Sequence, residues 1–291
     1  MYLLITPARN EGKYINYTIE AILSQDLKPI CWIIVDDGST DDTNLIIRQL
    51  SKNYSWVWVV ERNSVQERGF ASKALAFMEG YKMVSELSYR YIGNLDADVS
   101  FNASYYRILI ERMENNKRLG VASGVIMEKS LKGYQRVTSS LNHAVGAVQF
   151  WKKECFEQVG GYRPVTVSGI DAIAELIARM KGWETRSFQD LHIYHHRPVD
   201  TSNTKNALER AYRAGLTEYH IGTSSYFALF KAIRRWRERP VILSAFIRLL
   251  AYWAAWVKKI PRDAPDELIE YLKREQKYRL LAALKGQFDW R

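Results

Sequence analysis

Two acidic clusters, each closing an apolar run, constrain this chain most. Asp36 and Asp37 follow Ile30 to Val35 in VDDGSTDD, and Asp96 and Asp98 follow Tyr91 to Leu95 in LDADV. Both runs are β-branched or aromatic, and turn or helix signals come after each. Similar runs at Tyr2 to Thr6, Trp56 to Val60 and Val121 to Ile126 predict further strands. Helical spacing separates them: Ile15, Ile19, Ile22 and Leu23; Thr43 to Leu50, with Ser39 or Asp41 near its start; Ala71, Leu75 and Met78; and Tyr105 to Met113. Strand and helix in alternation predict an α/β fold, a mostly parallel sheet flanked by helices. Ligands bind such sheets outside the carboxyl ends of the strands, where Asp37 and Asp98 fall. Hard cations take oxygen ligands, so a D-x-D at a strand end is a handle for a divalent metal that neutralises a diphosphate. The pattern predicts a nucleotide site with a metal ion.

Beyond residue 125 the signals are mixed. Ser130 to Asn142 reads as a loop or short helix, Ala147 to Trp151 as a strand and Glu154 to Val159 as a helix. GGYRP at 160 to 164 is a turn, Ile170 to Met180 an amphipathic helix stopped at Gly182, and Trp183 to Phe188 a strand. HIYHHRP closes a first domain, 1–200, and 201–291 forms a helical extension. The 47% hydrophobic content excludes a disordered chain. Of the net charge of +10, nearly all lies in residues 201 to 291, where 18 Lys and Arg face nine Asp and Glu. Cys31 and Cys155 form no C-x-x-C pair, which removes zinc and thioredoxin-like chemistry and suits a reducing compartment. The opening MYLLIT reads as a strand rather than a signal peptide.

TPARNE at 6–11, VDDGSTDDT at 35–43 and LDADV at 95–99, in this order, resemble the motifs of family 2 glycosyltransferases with the GT-A fold, over roughly residues 1 to 200. The resemblance implies a Rossmann-like nucleotide-sugar domain. It also implies an inverting, metal-dependent hexosyl transfer from a UDP-sugar to a hydroxyl acceptor. Donor contacts are then expected from Thr6, Pro7, Ala8, Asn10 and Glu11 on the first strand end, from Asp36 and Asp37, and from Asp96, Ala97 and Asp98. Asp37 would accept from an N–H of the base, and Asp98 would coordinate Mn²⁺ or Mg²⁺. His195 or His196 would be a further metal ligand, with Arg197 beside the phosphates. Arg68 and Lys73, in ERGFASKAL, stand where the family places groups near the ribose or diphosphate, although solvated helix-face charges would read the same. Asp171 occupies the place of the general base, in a motif where Ile170 replaces the usual acid and Glu175 is the substitute. Gly160 and Gly161 precede an acceptor-side loop in many relatives. A nucleotidyltransferase would need a Gly-rich, Arg-containing first loop, which TPARNEG is not. A nucleotide-sugar-binding scaffold without turnover is the non-enzymatic alternative.

The extension carries its own chemistry. Tyr226 to Arg239 is amphipathic, Val241 to Val257 almost wholly apolar around Arg248, and Asp266 to Leu284 a charged helix. Seventeen residues make about 25 Å of helix, at the short limit for a bilayer, and a central arginine costs about 2.5–3.5 kcal/mol there. Basic flanks on both sides, with Trp236, Trp253 and Trp256, predict helices lying in the membrane interface. A core or homodimer helix is the alternative. No nucleic-acid recognition motif accompanies the charge. The expected setting is the inner face of the cell membrane, and the expected acceptor a lipid-linked saccharide in polysaccharide or glycolipid synthesis.

Overall fold

The computed structural model describes residues 1–62, 70–84, 86–130, 133–137, 140–197, 207–235 and 242–285. The chain divides into two compact units, one of Met1–Pro164 and Ile177–Pro198, the other of Val165–Leu176 and Val199–Arg291. The inclusion of Val165–Leu176 in the second unit is a long-range association that no local pattern announces.

In the first unit β1 (Tyr2–Ala8), β2 (Cys31–Asp36), β3 (Val57–Glu61) and β4 (Tyr91–Asn94) run parallel. Helices α1 (Ile15–Leu23), α2 (Thr43–Asn53) and α3 (Phe70–Lys82) connect them. Every residue of β2 is buried. This explains its unbroken apolar run, because a strand covered on both faces has no solvent side to alternate with. Beyond β4 the order is β5 (Val99–Ser100), α4 (Tyr105–Asn115), β6 (Leu119–Ser130), β7 (Gly133–Arg136), a 3-10 turn at Gly146–Val148, β8 (Phe150–Lys152), α5 (Lys153–Val159), α6 (Ile170–Met180) and β9 (Glu184–His195). Among the described residues these strands form one sheet in the order β3-β2-β1-β4-β8-β6-β9-β5, with β7 paired to β6. β8 is antiparallel to both neighbours, and β5 is antiparallel to β9. The core beneath β1 and β4 is aromatic: Tyr2 stacks on Tyr106 at 4.9 Å and Tyr91 on Phe150 at 5.5 Å.

One expectation fails here. Within 130–142, read as loop or short helix, Gly133–Arg136 is a strand in a hairpin with β6, for example Glu128 opposite Gln135. Its side chains are exposed or half-buried, so the sequence has no apolar alternation, and ladder hydrogen bonds alone define the strand. The strand at 183–188 is also longer than expected: β9 runs on to His195, its register against β6 shifting between Ser187 and His192, and there pairs with β5.

The second unit contains α7 (Ala207–His220), α8 (Ser225–Arg234), α9 (Leu243–Val257) and α10 (Asp266–Leu284). α7 and α9 cross at Gly215, where a Cβ would lie 2.1 Å from the Arg248 carbonyl oxygen. Only glycine permits that approach. Tyr219, Ala228, Tyr252 and Ala255 form the core of this unit. The Tyr252 hydroxyl donates to the Thr223 carbonyl at 2.7 Å, satisfying its polar end. α9 therefore buries one face, including Ala251, Tyr252 and Ala255. Its other face is an apolar stripe of Leu243, Phe246, Leu250, Trp253 and Val257, each 40% to 68% exposed. Among the described residues no helix is long and apolar enough to cross a membrane.

Candidate active site

Parallel pairing brings the carboxyl ends of β1, β2 and β4 to one rim, and the motif loops leave from it. The loop after β2 is a scaffold for the loop after β1. The Asn10 N–H donates to Ser39 Oγ at 3.0 Å, Glu11 N–H to Thr43 Oγ1 at 2.7 Å and Gly12 N–H to Asp41 Oδ2 at 3.0 Å. Asn10 adopts φ 55°, a left-handed conformation that Asn tolerates, and its Oδ1 accepts from Thr40 N–H at 2.8 Å. Asp41 Oδ1 also accepts from the N–H of Thr43, the first residue of α2, at 3.0 Å. Gly38, at φ 74°, turns the chain between these contacts.

The two carboxylates after β2 divide their work. Asp36 accepts from Ser39 N–H at 2.9 Å and Asn44 Nδ2 at 2.7 Å, so it holds the turn. Asp37 is 4% exposed and faces Arg62 Nη1 at 2.7 Å, the Ser72 hydroxyl, and Arg9 Nη1 at 3.9 Å. It lies at the end of β2 in a cationic frame.

The second cluster is assembled around Asp98. Asp98 Oδ2 lies 3.2 Å from His195 Nε2 and 3.1 Å from Arg197 Nε. Arg197 also pairs closely with Glu11, linking the first-strand loop to the D-x-D. Lys73 Nζ donates to Asp96 Oδ1 at 2.5 Å. The pairing of Val99 with His195, between β5 and β9, delivers the imidazole to this place. His196 is turned elsewhere: Nε2 is 2.7 Å from Ser100 Oγ, Nδ1 is 3.2 Å from Tyr134 Oη, and the ring stacks on Tyr17 at 3.8 Å. Neighbours on a strand face opposite ways, and the two histidines do so here.

The charges of this cluster shift one another. Burial raises the Asp98 carboxyl, but the His195 hydrogen bond and the charges of His195 and Arg197 more than offset it, and the net shift is downward. The hydrogen bond to Asp98 lifts His195 above the ordinary imidazole range against its own burial. Burial, then the Asp98 charge, pushes Glu11 up to about 7, although Arg197 opposes both. Burial also raises Asp96, with Lys73 acting against it.

Asp98 and His195 are the donor pair that can hold a divalent cation. A carboxylate and an imidazole on a partly open rim fit Mn²⁺, and a cation bound with substrate phosphates needs only one or two protein ligands. Among the described residues no group of three or more His, Cys, Asp or Glu is arranged to hold a metal. Lys73, Arg197, Arg62 and Arg9 supply positive charge around the same rim.

Several expected donor residues have other duties. Thr6 is fully buried and its hydroxyl accepts from the Trp32 indole N–H at 2.9 Å; its side chain is a core contact, because β1 runs two residues past it. Ala8 and Ala97 are likewise packed in the core, and Pro7 is half-buried. Asp171 sits in the first turn of α6, and Glu175, one turn on, is 2% exposed. Both belong to the second unit. Gly160 and Gly161 follow α5 with φ 81° and 74°. Arg68 lies outside the described residues. Sequence reading missed Arg62, Ser72, Tyr17 and Thr18. Thr18 is buried and fixes β5, accepting from Val99 N–H at 3.1 Å and donating to its carbonyl at 2.8 Å. For Arg62 a signal existed: it directly follows β3, the parallel neighbour of β2, and so must reach the same rim.

This sheet order, with motif loops and acids on the carboxyl rim, is that of the GT-A fold. Residues 3–171 match the profile of glycosyl transferase family 2. The chain belongs to that family. Over 173 residues it is 31% identical to a poly-β-1,6-N-acetyl-D-glucosamine synthase of Staphylococcus epidermidis, covering 52% of this chain and 39% of the relative. A synthase of the same name from Staphylococcus aureus is 28% identical over 172 residues, with the same coverage. The chain thus matches well under half the length of these relatives. Among solved structures, the mannosyltransferase PcManGT of Pyrobaculum calidifontis in complex with GDP-Man and Mn²⁺ is similar, with a TM-score of 0.58 at 16% identity, over 100% of this chain and 88% of that one. S. aureus TarS 1–349 in complex with UDP-GlcNAc gives 0.55 at 12% identity, over 100% and 93%. At such identities the likeness is one of fold.

Proposed function

We propose that this protein is an inverting, metal-dependent glycosyltransferase that moves a hexosyl group from a UDP-sugar to a hydroxyl acceptor. The observation that carries the reading is the convergence of His195, Arg197 and, through Arg197, Glu11 on Asp98, next to the Lys73–Asp96 pair. The rim offers a carboxylate and an imidazole for Mn²⁺ or Mg²⁺, and cations for a diphosphate. A bound cation would act as a Lewis acid that stabilises the departing nucleoside diphosphate. Arg197 and Lys73 stabilise charge on the same oxygens as it develops. Asp37 presents its carboxylate to the base and is held in place by Arg62 and Ser72. Asp171 takes the proton of the acceptor hydroxyl, which then attacks the anomeric carbon from the face opposite the leaving group and inverts it. The ligands of the structural neighbours, UDP-GlcNAc and GDP-Man with Mn²⁺, support a nucleotide-sugar donor, and the synthase relatives support a saccharide acceptor.

Donor hydrolysis tests this. With Mn²⁺, a panel of nucleotide sugars is expected to yield release of UDP from one member. Binding without release would indicate a scaffold instead. In the same assay with acceptor present, Asp171→Asn should lower kcat by about 10²–10⁴-fold, the usual worth of a general base, and leave the donor KM nearly unchanged. A rise in KM alone would remove Asp171 from the base role.

We further read the α9 stripe as a contact with the cytoplasmic leaflet of the cell membrane, which suits a lipid-linked saccharide as acceptor. Trp253 and Trp256 are exposed, and Lys258 and Lys259 follow them at the helix end, the arrangement of an interfacial helix. A homodimer seam is the competing use of the same stripe. Flotation with anionic liposomes separates them: wild type should float at low salt, and Phe246→Ser/Trp253→Ser should not. A wild type that stays at the bottom as a dimer would decide for the seam.

A further inference from the structure

The helical unit contains a cationic cavity that donor chemistry does not use. It has a volume of about 380 Å³ and is lined by Arg210, Arg213, Lys231 and Arg248 against one carboxylate, Glu218. That volume falls within the roughly 300–1,000 Å³ of small-ligand sites. A second cavity, of about 230 Å³, shares Arg210 and Arg248 with the first, adds Arg235 and Ser244, and has no acid in its wall. Helices α7, α8 and α9, with Arg235 directly after α8, supply these side chains, so the site is built within one unit.

Arg213 also meets Glu209, on its own helix, at 3.8 Å, and Glu218 is the acid in the cavity wall. It is already engaged by Arg248 Nη2 at 2.8 Å and Lys231 Nζ at 3.1 Å. Burial holds Lys231 below the ordinary amine range in spite of Glu218, and Arg248 and Arg235 push it the same way. Two further groups are buried without a hydrogen-bond partner among the described residues: the Arg248 Nε–H and the Ser244 hydroxyl. Ser244 is 8% exposed, and both residues line the second cavity. A buried guanidinium N–H without an acceptor is unfavourable, and native structures rarely leave one. Donors on several arginines, with a hydroxyl beside them, complement a tetrahedral group that carries several acceptor oxygens and negative charge.

We infer that this pair of cavities, which share Arg210 and Arg248, binds a phosphate group, either free phosphate or the phosphate of a lipid headgroup, with Arg210 and Arg248 from both, Arg213 from the first and Ser244 from the second as its donors. The site contains no residue of the Asp98 cluster, and the inference stands whether or not the UDP-sugar reading does.

The test uses the full chain in EDTA, so that a metal-bridged phosphate at the Asp98 rim does not contribute. Inorganic phosphate is titrated calorimetrically. In parallel, the protein is sedimented with phosphatidylcholine vesicles with and without phosphatidic acid. Wild type should bind phosphate, or be retained more by the phosphatidic acid vesicles, and the arm that responds identifies the source. Arg210→Gln/Arg213→Gln, both on accessible positions of α7, should weaken that binding at least tenfold with an unchanged circular dichroism spectrum and unchanged donor hydrolysis. Arg248→Gln should do the same if it folds. Asp98→Asn should bind as wild type does. No binding in either arm, or equal binding by the double variant, would overturn the inference.

Discussion

Replacing Asp98 by asparagine is expected to lower metal-dependent donor turnover at least about a hundredfold, more than the 10–100-fold that follows loss of an outer-shell partner. The variant keeps the volume and one acceptor oxygen, while the carboxylate facing both His195 Nε2 and Arg197 Nε is lost. Stability should change little. Breaking a buried ion pair usually costs about 3–5 kcal/mol, but Glu11 still engages Arg197, so the cation is not abandoned. A loss of about 1 kcal/mol, the worth of one hydrogen bond, is the expected scale. The measurement is UDP release against Mn²⁺ concentration, alongside thermal unfolding. His195→Gln should raise the Mn²⁺ needed for half-maximal rate, whereas His196→Gln should mainly lower stability, because its ring is held by Ser100, Tyr134 and Tyr17. Glu11 gives an independent readout. Burial pushes it to about 7, with the charges of Asp98 and then Asp96 adding to it, so its carboxyl should titrate lower in Asp98→Asn, visible by NMR. Unchanged turnover in Asp98→Asn would fault the assignment of this rim.

The sequence exposes those parts of the site that are written locally. VDDGSTDD and LDADV follow apolar strands, and parallel pairing alone brings their acids to one edge. What local pattern hides is the choice between neighbours and the partners supplied from afar. His195 and His196 are chemically equal in the sequence; the pairing of Val99 with His195, which decides between them, joins positions almost a hundred residues apart. Asp37 reads as a base-binding carboxylate at a strand end, but Arg62 and Ser72, which hold it, come from other stretches of the chain. Thr6 reads as a strand-end residue because the apolar run stops there, yet β1 continues through Pro7 and Ala8, placing the Thr6 hydroxyl on Trp32. β7 is invisible for a different reason: an exposed hairpin arm carries no apolar alternation. In the helical unit, Arg248 interrupts an apolar segment and argues against a bilayer crossing. Its partner, Glu218, lies on another helix and could not be named from α9 alone.

That partnership supports the second large effect. Glu218→Gln is expected to destabilise the helical unit by about 3 kcal/mol, near the lower end of the range for breaking a buried pair. Glu218 is 5% exposed and is met by Arg248, 12% exposed, and by Lys231, 32% exposed. Without the carboxylate the two cations face each other, and the arginine has little route to water. Lysine can turn outward, which is why the upper end of the range is not expected. The interaction also sets a pH dependence. Burial raises the Glu218 carboxyl, but Lys231 and Arg248 more than reverse this, so its folded-state pKa lies below the unfolded value of about 4.3. Its contribution is therefore complete above that value and is lost as pH falls through the folded-state pKa. Urea unfolding of the full chain from pH 7 to pH 3 should show wild type losing more stability below about pH 4.3 than Glu218→Gln, so that the two curves converge in acid. Helix loss should be followed by circular dichroism, because two units need not unfold as one transition. Replacing both members, as Glu218→Leu/Arg248→Leu, should recover much of the loss, since a buried ion pair exchanged for apolar packing is often neutral or better. A Glu218→Gln protein as stable as wild type at pH 7 would mean that the ion pair does not hold α7 to α9.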